Sequence, residues 1–137
     1  MRPINKLFAL LLLTVSLTNC NKIPDYHSLV DNDTLSFVGT FKCVENDLIS
    51  GEISLTKFNN HYLCSTDIPY GLGSGILTIT ESHLTFTDTL FFVVPALYGP
   101  SYVLSGDYSF KYNGADLTIW KEINAGKIVY SLHKKTN

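Results

Sequence analysis

The fold is decided by residues 102–122, which read YVLSGDYSFKYNGADLTIWKE. Along 102–112 apolar and polar side chains alternate, as they do on a strand with one buried face. The apolar positions are Tyr102, Leu104, Gly106, Tyr108, Phe110 and Tyr112. Asn113 and Gly114 follow at once, and both tolerate the positive φ that a type I′ hairpin turn requires. The stretch therefore predicts two antiparallel strands joined by a tight turn.

Short runs with strand character recur from residue 35 to the C-terminus. They cover residues 35–45, 49–58, 61–66, 75–81, 83–87, 90–94, 102–112, 115–122 and 126–134. Turn-forming residues separate them, and no convincing helical period is found after residue 20. The sequence predicts an all-β domain over residues 35–137, either an antiparallel barrel or a sandwich of about eight strands.

The glycine-rich segment 71–75 (GLGSG) resembles a phosphate-binding loop in composition. Such a loop needs a helix N-terminus after it and, in its commonest form, a lysine, whereas a predicted strand follows here. We interpret the segment as a flexible turn.

The charge balance limits the kind of partner. The 137 residues are enough for one domain, and their formal net charge is −2. Residues 1–19 hold two of the ten basic residues and no acidic one, so the remainder carries a formal charge of −4. Because phosphate binding needs a basic excess or patch, we expect no nucleic-acid partner.

The first residues of the chain have the pattern of an export signal. Arg2 and Lys6 precede or border an apolar run of 11 residues from Leu7 to Leu17. A helix needs about 20 apolar residues to span a bilayer, so this run is too short for a permanent anchor. A positive start with a short apolar core is typical of a cleaved signal peptide, which we assign to residues 1–19.

Residues 17–20 (LTNC) resemble the lipobox of bacterial lipoproteins. The resemblance implies cleavage before Cys20 and attachment of a diacylglycerol to its thiol, usually with a further acyl chain such as palmitate on the amine. In the family's sorting scheme an aspartate after the cysteine retains the protein at the inner membrane. Asn21 stands there, which implies the outer membrane of the bacterial envelope. Residues 20–34 are then expected to be the lipidated cysteine and a flexible tether.

Cys43 and Cys64 are left if Cys20 is lipidated. An exported domain lies in a compartment that permits disulfides, so we expect these two to pair. The alternative is two buried thiols that pack as small apolar groups. Both lie in predicted strands, so pairing requires adjacent strands in a permissive register.

Residues 39–41 (GTF) resemble the Gly-x-Trp opening of lipocalin-like barrels, with phenylalanine in place of tryptophan. Residues 106–108, 113–114 and 117–119 are similar to the closing hairpins of small lipocalin-like bacterial lipoproteins. The resemblance implies a barrel that encloses a cavity. We expect its lining, and the ligand-binding residues, to be Phe37, Phe41, Tyr108 and Phe110. The alternative is that the same rings interdigitate into a dry core.

Residues with the spacing of a catalytic or metal site do not stand out. The four histidines show no metal-ligand spacing, and His61 and Cys64 should face opposite sides of one strand. No serine nucleophile elbow or catalytic cysteine signature is recognisable. We expect no enzyme, metal or cofactor. The apolar segment 91–98 is interpreted either as a strand buried on both faces or as a loop at a barrel mouth or partner surface.

These patterns together predict a lipid-anchored, non-enzymatic binding module of the bacterial envelope. Its expected partners are the membrane and a small apolar or amphipathic ligand held in the barrel. The alternatives are a protein that inhibits a hydrolase, such as a protease or lysozyme, and a structural envelope component without a pocket.

Overall fold

A computed structural model of the protein describes residues 26–43, 50–68, 71–90, 104–124 and 126–136. The elements in these ranges are α1 (Tyr26–Asp31), β1 (Thr34–Cys43), β2 (Ser50–Phe58), β3 (His61–Thr66), β4 (Leu72–Ile79), β5 (His83–Asp88), β6 (Gly106–Tyr112), β7 (Asp116–Ile123) and β8 (Gly126–Lys134). Each strand pairs antiparallel with its neighbours in sequence, and β1 pairs with β8, so the sheet closes into a barrel. The predicted all-β class and the number of about eight strands are confirmed. Because the sheet closes on itself, the fold is the barrel and not the sandwich.

The barrel has two ends that differ in their connections. One end, called the helix end, carries α1 and the short links β2–β3, β4–β5 and β6–β7. The other end, called the loop end, is where β1–β2, β3–β4, β5–β6 and β7–β8 are joined. Residues 44–49, 69–70, 91–103 and 125, which lie between these strands in the sequence, are not described. The predicted strand over 90–94 and the apolar segment 91–98 therefore lie largely or wholly outside the described residues.

The interior is filled by the side chains that alternate inward along the strands. On β1, for example, Leu35, Phe37, Phe41 and Cys43 are buried, while Val38 between them is exposed. The inward apolar side chains of all eight strands form one cluster. Burial of each large apolar side chain contributes about 1.5–3 kcal/mol, which makes this cluster the main source of stability.

The barrel closes where β1 meets β8, and Gly39 lies at that contact. A Cβ atom on Gly39 would overlap the carbonyl oxygen of Ser131 on β8. Glycine is needed here because the two backbones approach more closely than a side chain allows. The glycine of segment 39–41 is therefore needed for closure of the barrel between β1 and β8.

Segment 71–75 differs from its prediction as a flexible turn. Leu72–Ile79 is strand β4, and Gly75 pairs with Tyr62 on one side and with Asp88 on the other. The glycines of this segment lie in the sheet because strand pairing on both sides outweighs their turn preference. The prediction of a turn over 71–75 is wrong except at its first residue.

The hairpin between β6 and β7 is where the sequence predicts it, but its turn is of another type. Gly114 has a positive φ of 95°, whereas Asn113 does not, so the type I′ turn is wrong. Instead, Asn113 Oδ1 accepts hydrogen bonds from the N–H groups of Ala115 (2.9 Å) and Asp116 (2.6 Å). The asparagine side chain thus caps the turn in the way of an Asx-turn.

The domain begins earlier than the predicted boundary at residue 35. Helix α1 packs on the barrel through Leu29, which is buried in the core, and Tyr26 contacts the same cluster. The helix has only 6 residues, too few to show a period in the sequence. Residues 26–34 are therefore part of the domain, which shortens the expected tether. The signal peptide 1–19 and the lipidation site Cys20 lie outside the described residues.

The predicted disulfide between Cys43 and Cys64 is wrong, since the structure contains no bond between them. On β2, Leu55 pairs with Cys64 of β3 and with Phe37 of β1, which is six residues from Cys43. Six residues of strand extend about 20 Å, far beyond the Cα separation of about 7 Å that a disulfide spans. Both thiols are buried, which agrees with the alternative reading.

Candidate functional site

Aromatic rings from five strands contact one another, each ring touching the next, across the barrel interior. Phe41 stacks on Tyr130 at a centroid distance of 5.5 Å, and Tyr130 meets the edge of Tyr108 at 5.8 Å. Phe86 contacts Tyr108 at 5.6 Å and Tyr62 at 4.9 Å, both in T-shaped geometry. Each such pair contributes about 0.5–1.5 kcal/mol beyond the burial of its area. The rings therefore form a connected layer rather than isolated contacts.

The four residues predicted to bind a ligand all lie inside the barrel. Phe37, Phe41 and Tyr108 are 1% exposed and Phe110 is 6% exposed. Phe41 and Tyr108 belong to the ring layer through Tyr130, whereas Phe37 contacts Tyr112 instead, at 5.9 Å. A ring beside a ligand-sized void would keep accessible surface, so these rings are packed against other groups. Their role in ligand binding stays a prediction.

The hydroxyl groups of the ring layer meet a short segment from the loop end. This segment, Leu104–Ser105, directly precedes β6 and is called the strap. The carbonyl oxygen of Leu104 accepts a hydrogen bond from the Tyr62 hydroxyl at 3.1 Å. The N–H of Ser105 donates to the Tyr108 hydroxyl at 3.3 Å. Because Tyr62 is on β3, three strands away from β6, the strap lies across the interior.

The strap is held on its outer side by one lysine. Lys121 Nζ donates a hydrogen bond to the carbonyl oxygen of Ser105 at 2.6 Å, and the same atom lies 4.5 Å from the ring centroid of Tyr108. Gly106, the next residue, has a φ of +84°, which a glycine adopts readily. This conformation turns the chain from the strap into β6, so that the side chain of Leu104 is fully buried.

The hydroxyl of Tyr130 differs from the other two tyrosine hydroxyls of the layer. Tyr130 is fully buried, and among the described residues its hydroxyl makes no hydrogen bond of acceptable geometry. Burial raises its pKa, and Tyr108, through its charge and a side-chain hydrogen-bonding contact, and Cys64 raise it further, so the Tyr108 hydroxyl is a polar neighbour although the contact falls short of hydrogen-bond geometry. An unpaired buried hydroxyl costs about 1–3 kcal/mol, which a phenylalanine at this position would avoid.

Two titratable groups of this region, Cys64 and Tyr62, have raised pKa values. Burial raises the pKa of the Cys64 thiol to about 11, with Asp88 adding to the rise and a backbone hydrogen bond from Leu104 opposing it. Burial and the Asp88 carboxylate also raise the pKa of Tyr62. At neutral pH Cys64 is therefore a thiol and a poor nucleophile.

Among the described residues, hydrogen-bonding and ring contacts elsewhere do not gather into a second interior site. His133 Nδ1 lies 2.7 Å from Asp116 Oδ1 in an exposed pair on the outer surface, and this contact lowers the pKa of Asp116. His61 stacks on Phe58 at 5.6 Å on the outside, while Cys64 points inward, so the predicted opposite orientation is confirmed. Over the described ranges, no three His, Cys, Asp or Glu side chains converge on a metal position.

The outer faces of β3, β4 and β5 form a second feature of interest. Their outward residues include no Lys, Arg, Asp or Glu. Large apolar side chains are exposed there and at the adjoining end of β2, namely Phe58, Leu63, Leu72 and Ile76. In the register, Leu63 pairs with Ser74, which stands between Leu72 and Ile76 on β4, so the three side chains are neighbours. This group is called the uncharged face.

Sequence reasoning identified Tyr108 but missed Tyr62, Tyr130, Leu104 and Lys121. The inward orientation of Tyr62 and Tyr130 follows from strand alternation, and that signal was present. Their convergence depends on which strands close the barrel, which no local pattern contains. The sequence predicts a strand over 102–112, but among the described residues β6 starts at Gly106, so the prediction is wrong for Leu104 and Ser105.

Among the described residues, no helix has the length and apolar character needed to cross a membrane. The candidate site rests on the chain's own geometry, in which the strap, the three tyrosines and Cys64 converge inside the loop end of the barrel. Searches of protein-family models, curated proteins and solved structures found no match to this chain.

Proposed function

We propose that this chain is a lipid-anchored protein of the bacterial envelope whose barrel binds a small amphipathic ligand without catalysing a reaction. The observation that carries the proposal is the Tyr130 hydroxyl, which is buried among aromatic rings and, over the described residues, has no hydrogen bond of good geometry besides its contact with the Tyr108 side chain. A polar group of this kind is satisfied by a guest that brings one polar atom and an apolar body, the usual chemistry of a small-molecule site.

The barrel has a suitable size for this role. Eight strands enclose an interior that is either filled by side chains or holds one small ligand. Here part of the filling comes from Leu104, which belongs to a connecting segment rather than to a strand. Because Leu104 does not belong to a strand, displacement of its side chain by a ligand should cost less free energy than displacement of a strand residue.

The lipid anchor is the second part of the proposal, and the lipobox-like LTNC segment at 17–20 supports it. Membrane attachment through Cys20 would place the protein in the envelope, and Asn21 favours the outer membrane. The test is metabolic labelling with an alkyne analogue of palmitate. We expect the label on the wild type and none on Cys20→Ala, and equal labelling of both would reject the anchor.

Ligand binding is tested with a photoreactive neutral amphiphile, a dodecanol that carries a diazirine. The full-length chain in detergent micelles is irradiated with it, and the labelled positions are mapped by peptide mass spectrometry. We expect saturable labelling of inward residues on β6 and β8. Labels confined to outward residues would show contact with micelles only and would reject the interior site.

Tyr130→Phe provides the decisive variant, because it removes only the unpaired hydroxyl. Loss of one hydrogen bond to the guest should weaken interior labelling about 2–10-fold. Tyr112→Phe is the matched control, since the Tyr112 hydroxyl donates to the Gly114 carbonyl oxygen at the helix end (2.8 Å). Equal effects of the two variants would contradict a site at Tyr130.

Protein binding is the second candidate, and the uncharged face supports it. Leu63 is 53% exposed and has apolar neighbours on β4, an arrangement that is common at protein interfaces. Inhibition of a hydrolase by such a contact is tested with lysozyme and trypsin assays in the presence of the full-length chain. Inhibition by the wild type that Leu63→Asp abolishes would support it, whereas no inhibition of either enzyme would reject it for these two targets.

A further inference from the structure

We propose that the helix-end part of the uncharged face, where Phe58, Leu63 and Ile76 are exposed, lies against the lipid surface to which the protein is anchored. This inference rests on the lipid anchor in the proposed function. It adds to the anchor the part of the barrel that contacts lipid, and therefore the orientation of the barrel on the membrane.

The outer surface of the barrel differs in charge between its two halves. The outward positions of β3, β4 and β5 hold no Lys, Arg, Asp or Glu. The outward positions of β6, β7 and β8 include five charged residues, namely Asp107, Lys111, Asp116, Glu122 and Lys127. A surface that meets only water normally mixes charges of both signs, whereas a surface that meets lipid excludes them because a charge in lipid is costly. The β3–β5 half has the composition of a lipid-contacting surface.

The exposed apolar side chains of this half gather towards the helix end. Phe58 and His61 flank the β2–β3 turn, and their rings stack at a centroid distance of 5.6 Å. Ile76 pairs with His61 across β3 and β4, and Leu63 is the next outward residue on β3. Phe58, Leu63 and Ile76 are between 41% and 53% exposed. These neighbours therefore form one apolar group beside the helix end.

The chain that leads to Cys20 starts from the same end of the barrel. In the β2–β3 turn, next to Phe58, the N–H of Asn59 donates to the carbonyl oxygen of Asp33 at 2.6 Å. Helix α1 precedes Asp33, and its six residues extend about 9 Å. The six residue steps from Cys20 to Tyr26 span at most about 22 Å. An acylated Cys20 therefore keeps the helix end, and the apolar group beside it, near the bilayer.

Charged groups border this region without lying on it. They are found at the end of α1, in the β4–β5 link and at the end of β8, namely Asp31, Asp33, Glu81, Lys134 and Lys135. None of them is an outward residue of β3, β4 or β5, so they can stay in the hydrated headgroup layer. Because uncharged side chains make the contact, we expect it to require no anionic lipid and to change little with ionic strength.

A lipid surface fits this face better than a protein partner does. Protein interfaces fix their register with complementary charges around an apolar centre, and this face offers none. The outward residues between its apolar side chains carry hydroxyl groups, as in Ser65, Ser74 and Thr78. Apolar groups among small hydroxyls suit a lipid surface, which imposes no register. A second copy of the chain, a protein partner and the segment 91–98 are the other possible occupants, and the experiments separate them from lipid.

The first experiment maps the lipid contacts of the wild type. The full-length chain is expressed in a bacterium, and its acylation is checked with the palmitate analogue. It is then reconstituted at high dilution, so that copies rarely meet, into phosphatidylcholine vesicles whose lipid carries a diazirine in one acyl chain. After irradiation, labelled residues are mapped by peptide mass spectrometry. We expect Phe58, Leu63 and Ile76 to carry at least about fivefold more label than the outward residues of β6, β7 and β8, also at high ionic strength.

The outcomes of this experiment distinguish the inference from the anchor. Equal label on the two halves of the barrel, or more label on β6–β8, would overturn the inference. An acylated chain without label on Phe58, Leu63 and Ile76 would overturn it too, and would leave the face to one of the other occupants. Absence of acylation would instead reject the anchor itself and the orientation with it, while the interior site would still be tested by the dodecanol probe.

The second experiment places one tryptophan on each half of the barrel. Trp120, the only tryptophan of the chain, is replaced by phenylalanine, and Leu63→Trp or Thr118→Trp is added. Leu63 and Thr118 are each the third residue of a strand that starts at the helix end, and β3 and β7 lie opposite each other in the barrel. Phosphatidylcholine with brominated acyl chains should quench the tryptophan at position 63 at least about threefold more strongly than the one at position 118. Equal quenching would contradict the orientation.

A third variant separates the face from the tether. Leu63→Asn/Ile76→Asn makes the contact region polar and should lower lipid labelling of Phe58 at least about threefold. Val129→Asn is the matched control, since Val129 points outward from β8, opposite β4, and should leave this labelling unchanged. Unchanged labelling of Phe58 in the double variant would mean that the tether alone positions the barrel, and would overturn the role of the uncharged face.

Discussion

The two ends of the barrel are both closed by a segment outside the sheet, but they satisfy their polar groups differently. At the helix end, α1 inserts Leu29, and the buried Lys57 donates from Nζ to the carbonyl oxygen of Asn32 at 2.5 Å. At the loop end, the strap inserts Leu104, and the Tyr130 hydroxyl has, among the described residues, only a contact with the Tyr108 side chain that falls short of hydrogen-bond geometry. Complete pairing is typical of a structural closure, and an unpaired group of a site that awaits a partner. The two ends therefore differ in how completely their buried polar groups are paired.

The lysine at the helix end has a clear structural purpose. The last carbonyl groups of a helix lack partners within the helix, and a cation near them is favourable. Lys57 points inward from β2 and reaches the carbonyl just beyond α1. Burial lowers the pKa of Lys57, while nearby Asp33 partly opposes this effect. The loop end holds charges of both signs, namely the Lys121 ammonium at the strap and the Asp88 carboxylate that acts on Tyr62 and Cys64.

The largest expected difference between the ends is in the two buried leucines. Leu29→Ala should lower the free energy of unfolding by about 2–5 kcal/mol, because it leaves a cavity in a closed core. Leu104→Ala should lower it by less, because Leu104 lies outside the strands, beyond the last β5–β6 pair at Gly106. Urea unfolding of both full-length variants measures the two losses. Equal losses would remove the distinction between the ends.

We expect stability to depend on pH in the alkaline range because of Cys64 at the loop end. The pKa of Cys64 rises from its ordinary value of 9.0 to about 11 on folding. The unfolded chain therefore loses this proton first, and stability falls as the pH rises from about 9 to about 11. The shift corresponds to about 2–3 kcal/mol. Urea unfolding at several alkaline pH values should show a shallower decline for Cys64→Ala.

Leu55→Val is the matched control for the alkaline decline. Leu55 pairs with Cys64 across β2 and β3 and is also buried, so this change perturbs the same part of the core but keeps the thiol. Its stability should be lower at every pH with the slope of the wild type. A slope for Cys64→Ala equal to that of Leu55→Val would contradict the role of the thiol.

Removal of the two lysines should also distinguish the ends. Lys57→Met leaves the Asn32 carbonyl without its donor inside the closed end, and should cost about 1–3 kcal/mol. Lys121→Met makes the same truncation at the strap, where water replaces the lost bond, so its cost should be smaller. Thermal unfolding midpoints of the two variants test this order, and the reverse order would count against a water-accessible strap.

The smallest expected effects differ in sign. Tyr130→Phe removes an unpaired buried hydroxyl and should stabilise the protein by about 1 kcal/mol, whereas Tyr112→Phe breaks the bond to Gly114 and should destabilise it by about 1 kcal/mol. Calorimetry resolves both changes. Destabilisation by Tyr130→Phe would mean that its hydroxyl has a partner in the folded protein.

The amino-acid sequence by itself determined the strands and their inward faces. Alternation places Tyr62, Tyr108 and Tyr130 on the buried side, and the structure agrees, because a period of two is set by the backbone of each strand alone. The absence of a long helical period also limited the fold to an all-β class. These features are local, so a single stretch such as 102–122 is enough to reveal them.

The tertiary structure alone decided how the strands combine. Pairing of β1 with β8 joins residues that are about a hundred positions apart, and no local pattern selects this closure over a sandwich. The same long-range register separates Cys43 from Cys64 and brings tyrosines from two strands, β3 and β6, to one peptide group of the strap. Helix α1 is fixed by the burial of Leu29 and by Lys57, not by its own six residues. Register and closure depend on hydrogen bonds between distant segments, and for that reason the site emerges only in the folded barrel.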